Sequence, residues 1–142
     1  LSVNKDGGIS HFTSLGNDTA HIILRGGKDG PNYSKEHVEA TCEKLKAKGL
    51  VSRVMVDFSH ANSEKQFKNQ LKVGNNIASQ IENGSDSVFG VMIESHLNEG
   101  NQKVGPLSSL QYGVSITDSC IGWDDTEQLL KDLAESVKKR NS

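Results

Sequence analysis

An arginine beside two glycines ends the apolar run in the stretch His21-Ile22-Ile23-Leu24-Arg25-Gly26-Gly27-Lys28. Two later apolar runs also lead to a polar residue: Val54-Met55-Val56-Asp57-Phe58-Ser59 is followed by His60, and Val88-Phe89-Gly90-Val91-Met92-Ile93 is followed by Glu94. The spacing is 35 residues from Arg25 to His60 and 34 residues from His60 to Glu94. Parallel strands of an α/β sheet or barrel end on one face, where active sites are assembled. We therefore expect Arg25, His60 and Glu94 to converge.

Composition limits the kinds of protein to which the chain can belong. Its 142 residues are enough for one domain with a hydrophobic core. The formal charge of −2 gives no basic field that would indicate a nucleic-acid partner. No apolar stretch approaches the roughly 18–20 residues of a membrane span, so we expect no membrane partner. Two widely spaced cysteines, Cys42 and Cys120, need not pair, which favours a reducing cytoplasm.

Strand-like and helix-like segments alternate along the chain. The predicted strands are 21–24, 51–58 and 87–93, and the predicted helices are 35–48, 64–82 and a last one that begins at Asp124-Asp125. The unbroken apolar run of the first strand predicts burial on both of its faces. Ser34 is the expected N-cap of the first helix. The inward face of the last helix is predicted to consist of Leu129, Leu130, Leu133 and Val137.

The alternation predicts an α/β fold that is part of a larger barrel. A (β/α)₈ barrel needs about 250 residues and eight strand–helix units. This chain supplies three such units, less than half of a barrel. Leu1-Ser2-Val3 has the character of the end of a strand, and Asp6-Gly7-Gly8 predicts a hairpin excursion within residues 1–19. The connection 94–119 is longer than structureless connections usually are, and we expect it to be functional.

A possible metal site combines His60 and Glu94 with Asp118. An imidazole and two carboxylates suit Mn²⁺, Fe²⁺, Co²⁺ or Zn²⁺ better than Ca²⁺ or Mg²⁺. If all three bind one ion, their ligand atoms should lie within roughly 3–5 Å of one another. Each residue also has a plainer interpretation: a surface histidine, a solvated strand end and a helix cap. Cys120 has the chemistry of a fourth ligand, although packing in the core is its simpler role.

Arg25 is the candidate for binding an anion. Its guanidinium matches a phosphate or a carboxylate, and Gly26-Gly27 leave room for a ligand beside it. The alternative is a structural salt bridge. If Arg25 binds an anion, it should open into the same cavity as the three metal-ligand candidates, next to the metal position but without touching it.

Four long segments in order resemble one enzyme family. They are residues 21–28, residues 57–63, residues 90–102 without Asn98, and residues 115–123. Together they resemble the type I 3-deoxy-D-arabino-heptulosonate 7-phosphate (DAHP) synthases, and the approach Asn17-Asp18-Thr19-Ala20 is most similar to the fungal enzymes. The resemblance implies that residues 1–142 are the C-terminal portion of a single (β/α)₈ TIM-barrel catalytic domain.

The resemblance also implies an activity and a set of site residues. These enzymes are metal-dependent transferases that condense phosphoenolpyruvate with erythrose 4-phosphate to DAHP and phosphate, the first step of the shikimate pathway. His60, Glu94 and Asp118 would be metal ligands, His60 also catalytic, and Arg25 and Asp118 would contact substrate. Ser2 would help to bind an aromatic amino acid as feedback inhibitor.

One metal ligand of the family, a cysteine early in the barrel, has no counterpart in this chain. The Lys-Pro-Arg-Thr segment that grips the substrates is absent as well. The resemblance therefore implies that the chain needs the remainder of the barrel as a partner and that the isolated fragment is inactive. It also implies a cytoplasmic homo-oligomer. The alternative is a non-catalytic fragment that binds a metal or an anion or serves only assembly.

Overall fold

The computed structural model describes residues 1–142 and contains two separate sheets and three α-helices. The strands are β1 Ser2–Val3, β2 Ile9–Ser10, β3 Ile22–Leu24, β4 Val54–Asp57 and β5 Val88–Met92. The helices are α1 Lys35–Ala47, α2 Asn69–Glu82 and α3 Trp123–Arg140, with a 3₁₀ turn at Leu107–Ser109. None of these helices combines the length and the apolar character that a membrane crossing requires.

The larger sheet has the order β3-β4-β5, and both of its strand pairs are parallel. A helix follows each of these strands, as expected for the predicted α/β fold, which is confirmed. The register pairs Leu24 with Val56, and Val56 with Val91, so the three strands end at nearly the same level. The short β1 and β2 form an antiparallel pair of their own. The parallel topology therefore places the segments after Leu24, Asp57 and Met92 side by side.

The core lies between the sheet and the helices, and α2 packs against α3 at a glycine. Phe58, Ile77 and Leu129 are among its buried members. A Cβ atom on Gly74 would overlap the Leu129 side chain and lie 3.0 Å from Cε2 of Phe58. The absence of a side chain at Gly74 thus lets α2 approach α3 and the end of β4 closely.

Replacing Gly74 with alanine is expected to destabilise the protein by about 1–3 kcal/mol, because the added methyl group overpacks this contact. The loss should appear even though alanine favours a helix by roughly 1 kcal/mol over glycine. Urea unfolding of the full-length protein measures the change. Asn75→Ala is the matched control, since Asn75 is the exposed neighbour on α2, and its midpoint should stay close to the wild type. An unchanged midpoint for Gly74→Ala would contradict the close contact.

The second helix begins later than the sequence pattern predicted. The prediction placed its start at Glu64, but α2 starts at Asn69. Glu64 and Lys65 have φ angles of 55° and 60°, in the left-handed region that an α-helix cannot contain. The chain uses these residues to turn away from the end of β4, and Asn69 Nδ2 donates a hydrogen bond back to Ser63 O at 3.0 Å.

Some of the apolar side chains predicted to be buried are exposed within residues 1–142. Ile22 and Ile23 are 42% and 48% exposed within residues 1–142, where β3 has a neighbouring strand on one side only. On α3, Leu129 is buried, whereas Leu130 and Val137 are 50% and 38% exposed. Successive helical residues are rotated by about 100°, and it is the Leu129 side of α3 that packs against α2 at Gly74.

The helix starts also differ in detail from the prediction. Ser34 occupies the N-cap position of α1, but it makes no capping bond to the backbone. Its hydroxyl instead donates to the Glu36 carboxylate at 2.6 Å and lies 2.9 Å from Nδ1 of His37. In α3, Gly122 is the N-cap and Asp124-Asp125 lie inside the first turn. In the first turn, the two carboxylates interact favourably with the positive end of the helix dipole and stabilise α3.

Candidate metal centre

A tight turn after β4 projects His60 from the end of the sheet. The Ser59 N–H donates to Asp57 Oδ1 at 2.8 Å, which closes a turn at the last residue of the strand. His60 then adopts a φ of 52°. Left-handed backbone is uncommon for a residue with a Cβ and is concentrated at functional sites. The turn after β4 thus reverses the direction of the chain at His60.

Asn62 ties this turn to the loop that follows β3. Its side chain is buried and donates to Leu24 O at 3.0 Å and to Asp57 O at 2.7 Å. Its Oδ1 accepts a hydrogen bond from Asn32 N at 2.8 Å, and Asn32 in turn accepts one from Gly26 N at 2.7 Å. This chain of bonds holds the ends of β3 and β4 in one arrangement.

Gly26 allows the two loops to meet. It has a φ of 80°, and a Cβ atom there would lie 2.6 Å from the Cβ of Ala61 and 2.9 Å from Asn62 N. Both the conformation and the distance require glycine. The two glycines after Arg25 are therefore not equivalent, since nothing lies within 4 Å of a Cβ on Gly27.

The imidazole of His60 lies between two carboxylates. Its Nδ1 is 2.7 Å from Oδ2 of the buried Asp57, at an angle that departs from that of a hydrogen bond. Its Nε2 faces Oε1 of Glu94 at 3.8 Å. With a carboxylate beside Nδ1, Nε2 is the ring nitrogen that is left to face a ligand. A carboxylate behind a histidine is the usual support of a metal-binding imidazole.

Glu94 is held by its backbone and by its carboxylate. Gln70 on α2 donates from Nε2 to Glu94 O at 3.0 Å and accepts at Oε1 from Glu94 N at 2.8 Å. The Ser59 hydroxyl donates to Oε2 of Glu94 at 2.7 Å. Oε1 is thereby left on the side that faces His60.

The long connection after β5 folds back and brings Asp118 to the site. Ile121 N donates to Glu94 O at 3.0 Å, and Gly100 and Cys120 exchange two backbone bonds of 2.9 and 3.1 Å. Asp118 does not cap α3, which begins at Trp123. One ligand atom each from His60, Glu94 and Asp118 can be chosen so that all lie within 4.8 Å of one another. The predicted convergence of the three residues is confirmed.

Arg25 opens into the same cavity, as predicted. The cavity has a volume of about 670 Å³, and only two of its fourteen lining residues are hydrophobic. Within residues 1–142 no carboxylate lies within salt-bridge distance of Arg25. Lys28 and Lys65 also line the cavity. Three cations beside the carboxylates suit a substrate that carries negative charge.

The donor set fits a divalent transition metal. One imidazole nitrogen and two carboxylates are ligands that Mn²⁺, Fe²⁺, Co²⁺ and Zn²⁺ accept. Cys120 is not part of this cluster. Burial raises the pKa of its thiol, the Glu94 and Asp118 carboxylates raise it further, and Ser115 acts in the opposite direction. The Cys120 side chain is buried, and its thiol donates to Asp118 O at 3.5 Å.

Sequence reasoning overlooked the supporting residues of the site. Asp57 and Ser59 lie in the segment 57–63, but the sequence pattern assigns no role to either of them or to Gln70. A signal existed for Asp57, because an acid three residues before a candidate metal-binding histidine can reach its ring. No local signal existed for Gln70, which contacts a residue 24 positions away.

The chain is similar to proteins of one enzyme family. A family model described as DAHP synthetase I family matches residues 6–131. A phospho-2-dehydro-3-deoxyheptonate aldolase of Haemophilus influenzae is 51% identical over 140 residues, and the Phe-sensitive enzyme of Escherichia coli is 53% identical over the same length. Each alignment covers 99% of this chain, but only 39% and 40% of the respective relative.

A solved structure and a fungal relative extend the comparison. The aldolase structure from Francisella tularensis superposes with a TM-score of 0.87 at 44% identity, covering 100% of this chain and 41% of the other. A tyrosine-inhibited aldolase of Schizosaccharomyces pombe is 50% identical over 144 residues, with coverage of 99% and 39%. The chain thus spans about two fifths of the length of its relatives, and it belongs to the DAHP synthetase I family.

Proposed function

We propose that this chain contributes to a DAHP synthase that condenses phosphoenolpyruvate with erythrose 4-phosphate. Residues 1–142 would form the C-terminal portion of its single TIM-barrel domain, with residues 1–19 as a strand end and hairpin excursion. The observation that carries the proposal is the cavity shared by Arg25 and the cluster of His60, Glu94 and Asp118. The enzyme would catalyse the first step of the shikimate pathway.

The chain's own residues have distinct roles in this proposal. His60, Glu94 and Asp118 would hold a divalent Mn, Fe, Co or Zn ion, which supplies Lewis-acid polarisation of the aldehyde when bound. Arg25 would bind an anionic group of phosphoenolpyruvate and offset its charge while C3 attacks the aldehyde carbon. Water would add at C2, one of its protons would pass to the former aldehyde oxygen, and cleavage of the C2–O bond would release phosphate and leave a ketone at C2. Asp118, exposed at the rim of the site, would also contact substrate.

His60 is the proposed catalytic residue of this chain. The Asp57 carboxylate behind its ring keeps Nε2 directed at the reacting region.

We also propose that the chain acts with the remainder of the same barrel, in a homo-oligomer, and is inactive in isolation. Both cysteines are free, which is consistent with the reducing conditions of the cytoplasm.

An assay of the full-length protein tests this function. Loss of phosphoenolpyruvate and release of phosphate should both require erythrose 4-phosphate, stop after chelation, and return when Mn²⁺ is added. Metal binding without turnover, with any of the four metals, would instead support the alternative of a non-catalytic metal- or anion-binding fragment. The intact mass of the source protein adds to the test, since a mass near 15.4 kDa would favour that alternative.

The same protein should be inhibited by an aromatic amino acid. Relatives are named Phe-sensitive, Trp-sensitive and tyrosine-inhibited, so the inhibitor differs among them. Ser2 lies in β1, and the hairpin around it exposes Val3, Ile9 and Phe12. We propose that Ser2 contributes to the inhibitor pocket.

Replacing Ser2 with a bulky residue is expected to weaken inhibition at least tenfold while leaving the basal rate near the wild-type value. A larger side chain would occupy space that the inhibitor needs, so inhibition weakens. The basal rate is unchanged because Ser2 does not line the cavity of the metal cluster. Inhibition curves with phenylalanine, tyrosine and tryptophan measure the effect. Ser10→Phe, at the position paired with Ser2 in β2, is a matched comparison. Unchanged inhibition in Ser2→Phe would exclude Ser2 from the effector site.

A further inference from the structure

We propose that Gln70 is a positioning residue of the metal centre, which it serves by holding the backbone of Glu94. The inference rests on the proposed function, since it assigns a role to Gln70 in that same site. Gln70 lines no part of the cavity and supplies no ligand atom to the cluster. Its effect would pass entirely through Glu94.

The two hydrogen bonds of Gln70 replace the sheet ladder where the ladder ends. The pairing of β4 with β5 stops at Asp57 and Met92, and the bond from Phe58 N to Met92 O, at 2.9 Å, is the last one on that side. Glu94 lies beyond this point. The Gln70 amide supplies both a donor and an acceptor to the Glu94 peptide groups, at 3.0 and 2.8 Å, as a neighbouring strand would.

This contact determines where the Glu94 side chain starts. With both its N–H and its carbonyl bonded to one fully buried amide, the Glu94 backbone cannot rotate without breaking two hydrogen bonds. The Ser59 hydroxyl then restrains Oε2, so that Oε1 faces Nε2 of His60. The position of Oε1 therefore depends both on the Glu94 backbone held by Gln70 and on the hydrogen bond from Ser59.

The same contact reaches the third ligand candidate. The Glu94 carbonyl accepts a second hydrogen bond, from Ile121 N at 3.0 Å, at the point where the long connection returns to the sheet. Asp118 lies three residues earlier on this returning segment. A displaced Glu94 peptide would therefore move both carboxylates relative to His60. Changes in residues that orient metal ligands typically lower metal affinity about 10–100-fold.

A second glutamine on α2 provides a matched control. Gln80 is also buried, and it donates to Tyr33 O and to Asn76 Oδ1, both at 2.8 Å. It makes no bond to the metal cluster. Replacing either glutamine with methionine removes buried hydrogen bonds from the same helix, but only Gln70→Met removes support from Glu94.

The experiment measures Mn²⁺ binding to the full-length protein by calorimetry, together with the thermal midpoint of the metal-free protein. We expect Gln70→Met to weaken Mn²⁺ binding about 10–100-fold, while Gln80→Met retains wild-type affinity. Gln70→Asn keeps a neutral amide but is shorter by one methylene group, so it cannot make both hydrogen bonds to Glu94 and should also bind Mn²⁺ more weakly. This second variant is used if Gln70→Met does not fold.

Several results would overturn the inference. Wild-type Mn²⁺ affinity in a folded Gln70 variant would do so, as would an equal loss of affinity in Gln80→Met. Failure of both Gln70 variants to fold would show a role in stability alone. The measurement is independent of turnover. An inactive wild-type protein that still binds Mn²⁺ would refute the proposed function, and the Mn²⁺ affinities of the Gln70 and Gln80 variants would still test the role of Gln70.

Discussion

Replacing His60 with alanine in the full-length protein is expected to lower the metal-dependent consumption of phosphoenolpyruvate by about 10³-fold or more. A bound metal contributes several kcal/mol of transition-state stabilisation, and each 1.36 kcal/mol corresponds to roughly a tenfold change in rate. His60 supplies the one imidazole of the cluster, and its Nε2 faces Glu94 at 3.8 Å. Without it this chain contributes only two carboxylates, and a site that lacks the imidazole has a lower affinity for transition metals.

The rate of phosphate release and the dissociation constant for Mn²⁺ should both be measured for this variant. His37→Ala is a suitable control, because His37 is an exposed residue of α1 outside the cavity. The control should have wild-type activity and wild-type Mn²⁺ affinity. Full activity in His60→Ala would refute the assignment of this site, and full metal affinity would remove His60 from the ligand set.

The second large effect is expected from Phe58→Ala, which should destabilise the protein by about 3–5 kcal/mol. Phe58 is fully buried, and its ring packs beside Gly74. The loss combines the transfer free energy of the ring with a cavity that the surrounding helices cannot close. Since Phe58 stands between Asp57 and Ser59, the same cavity would loosen the residues that orient His60 and Glu94.

Chemical denaturation of the metal-free protein measures this change without interference from metal binding. Phe58→Leu conserves most of the apolar volume and should cost less than about 1.5 kcal/mol. If Phe58→Ala lost no more stability than Phe58→Leu, the packing between the end of β4, α2 and α3 would not be the main support of this region.

Local sequence patterns were sufficient for the fold class and for the convergence of the site. An apolar run followed by one polar residue, repeated three times, places Arg25, His60 and Glu94 at the carboxyl ends of neighbouring parallel strands. This inference needs only the geometry of a parallel sheet, in which all strand ends face the same way. Asp118 was harder to place, since its position depends on the fold of a long connection.

Only the tertiary structure decided which residues support the site and where the surfaces of the elements lie. Gln70 reaches Glu94 across 24 positions, and Ser59 reaches it across 35, so neither contact leaves a local pattern in the sequence. The late start of α2 has the same origin, because the left-handed residues Glu64 and Lys65 are set by the turn around His60. Periodicity predicts which residues can share a face, whereas burial and hydrogen bonding depend on what that face meets in the folded chain.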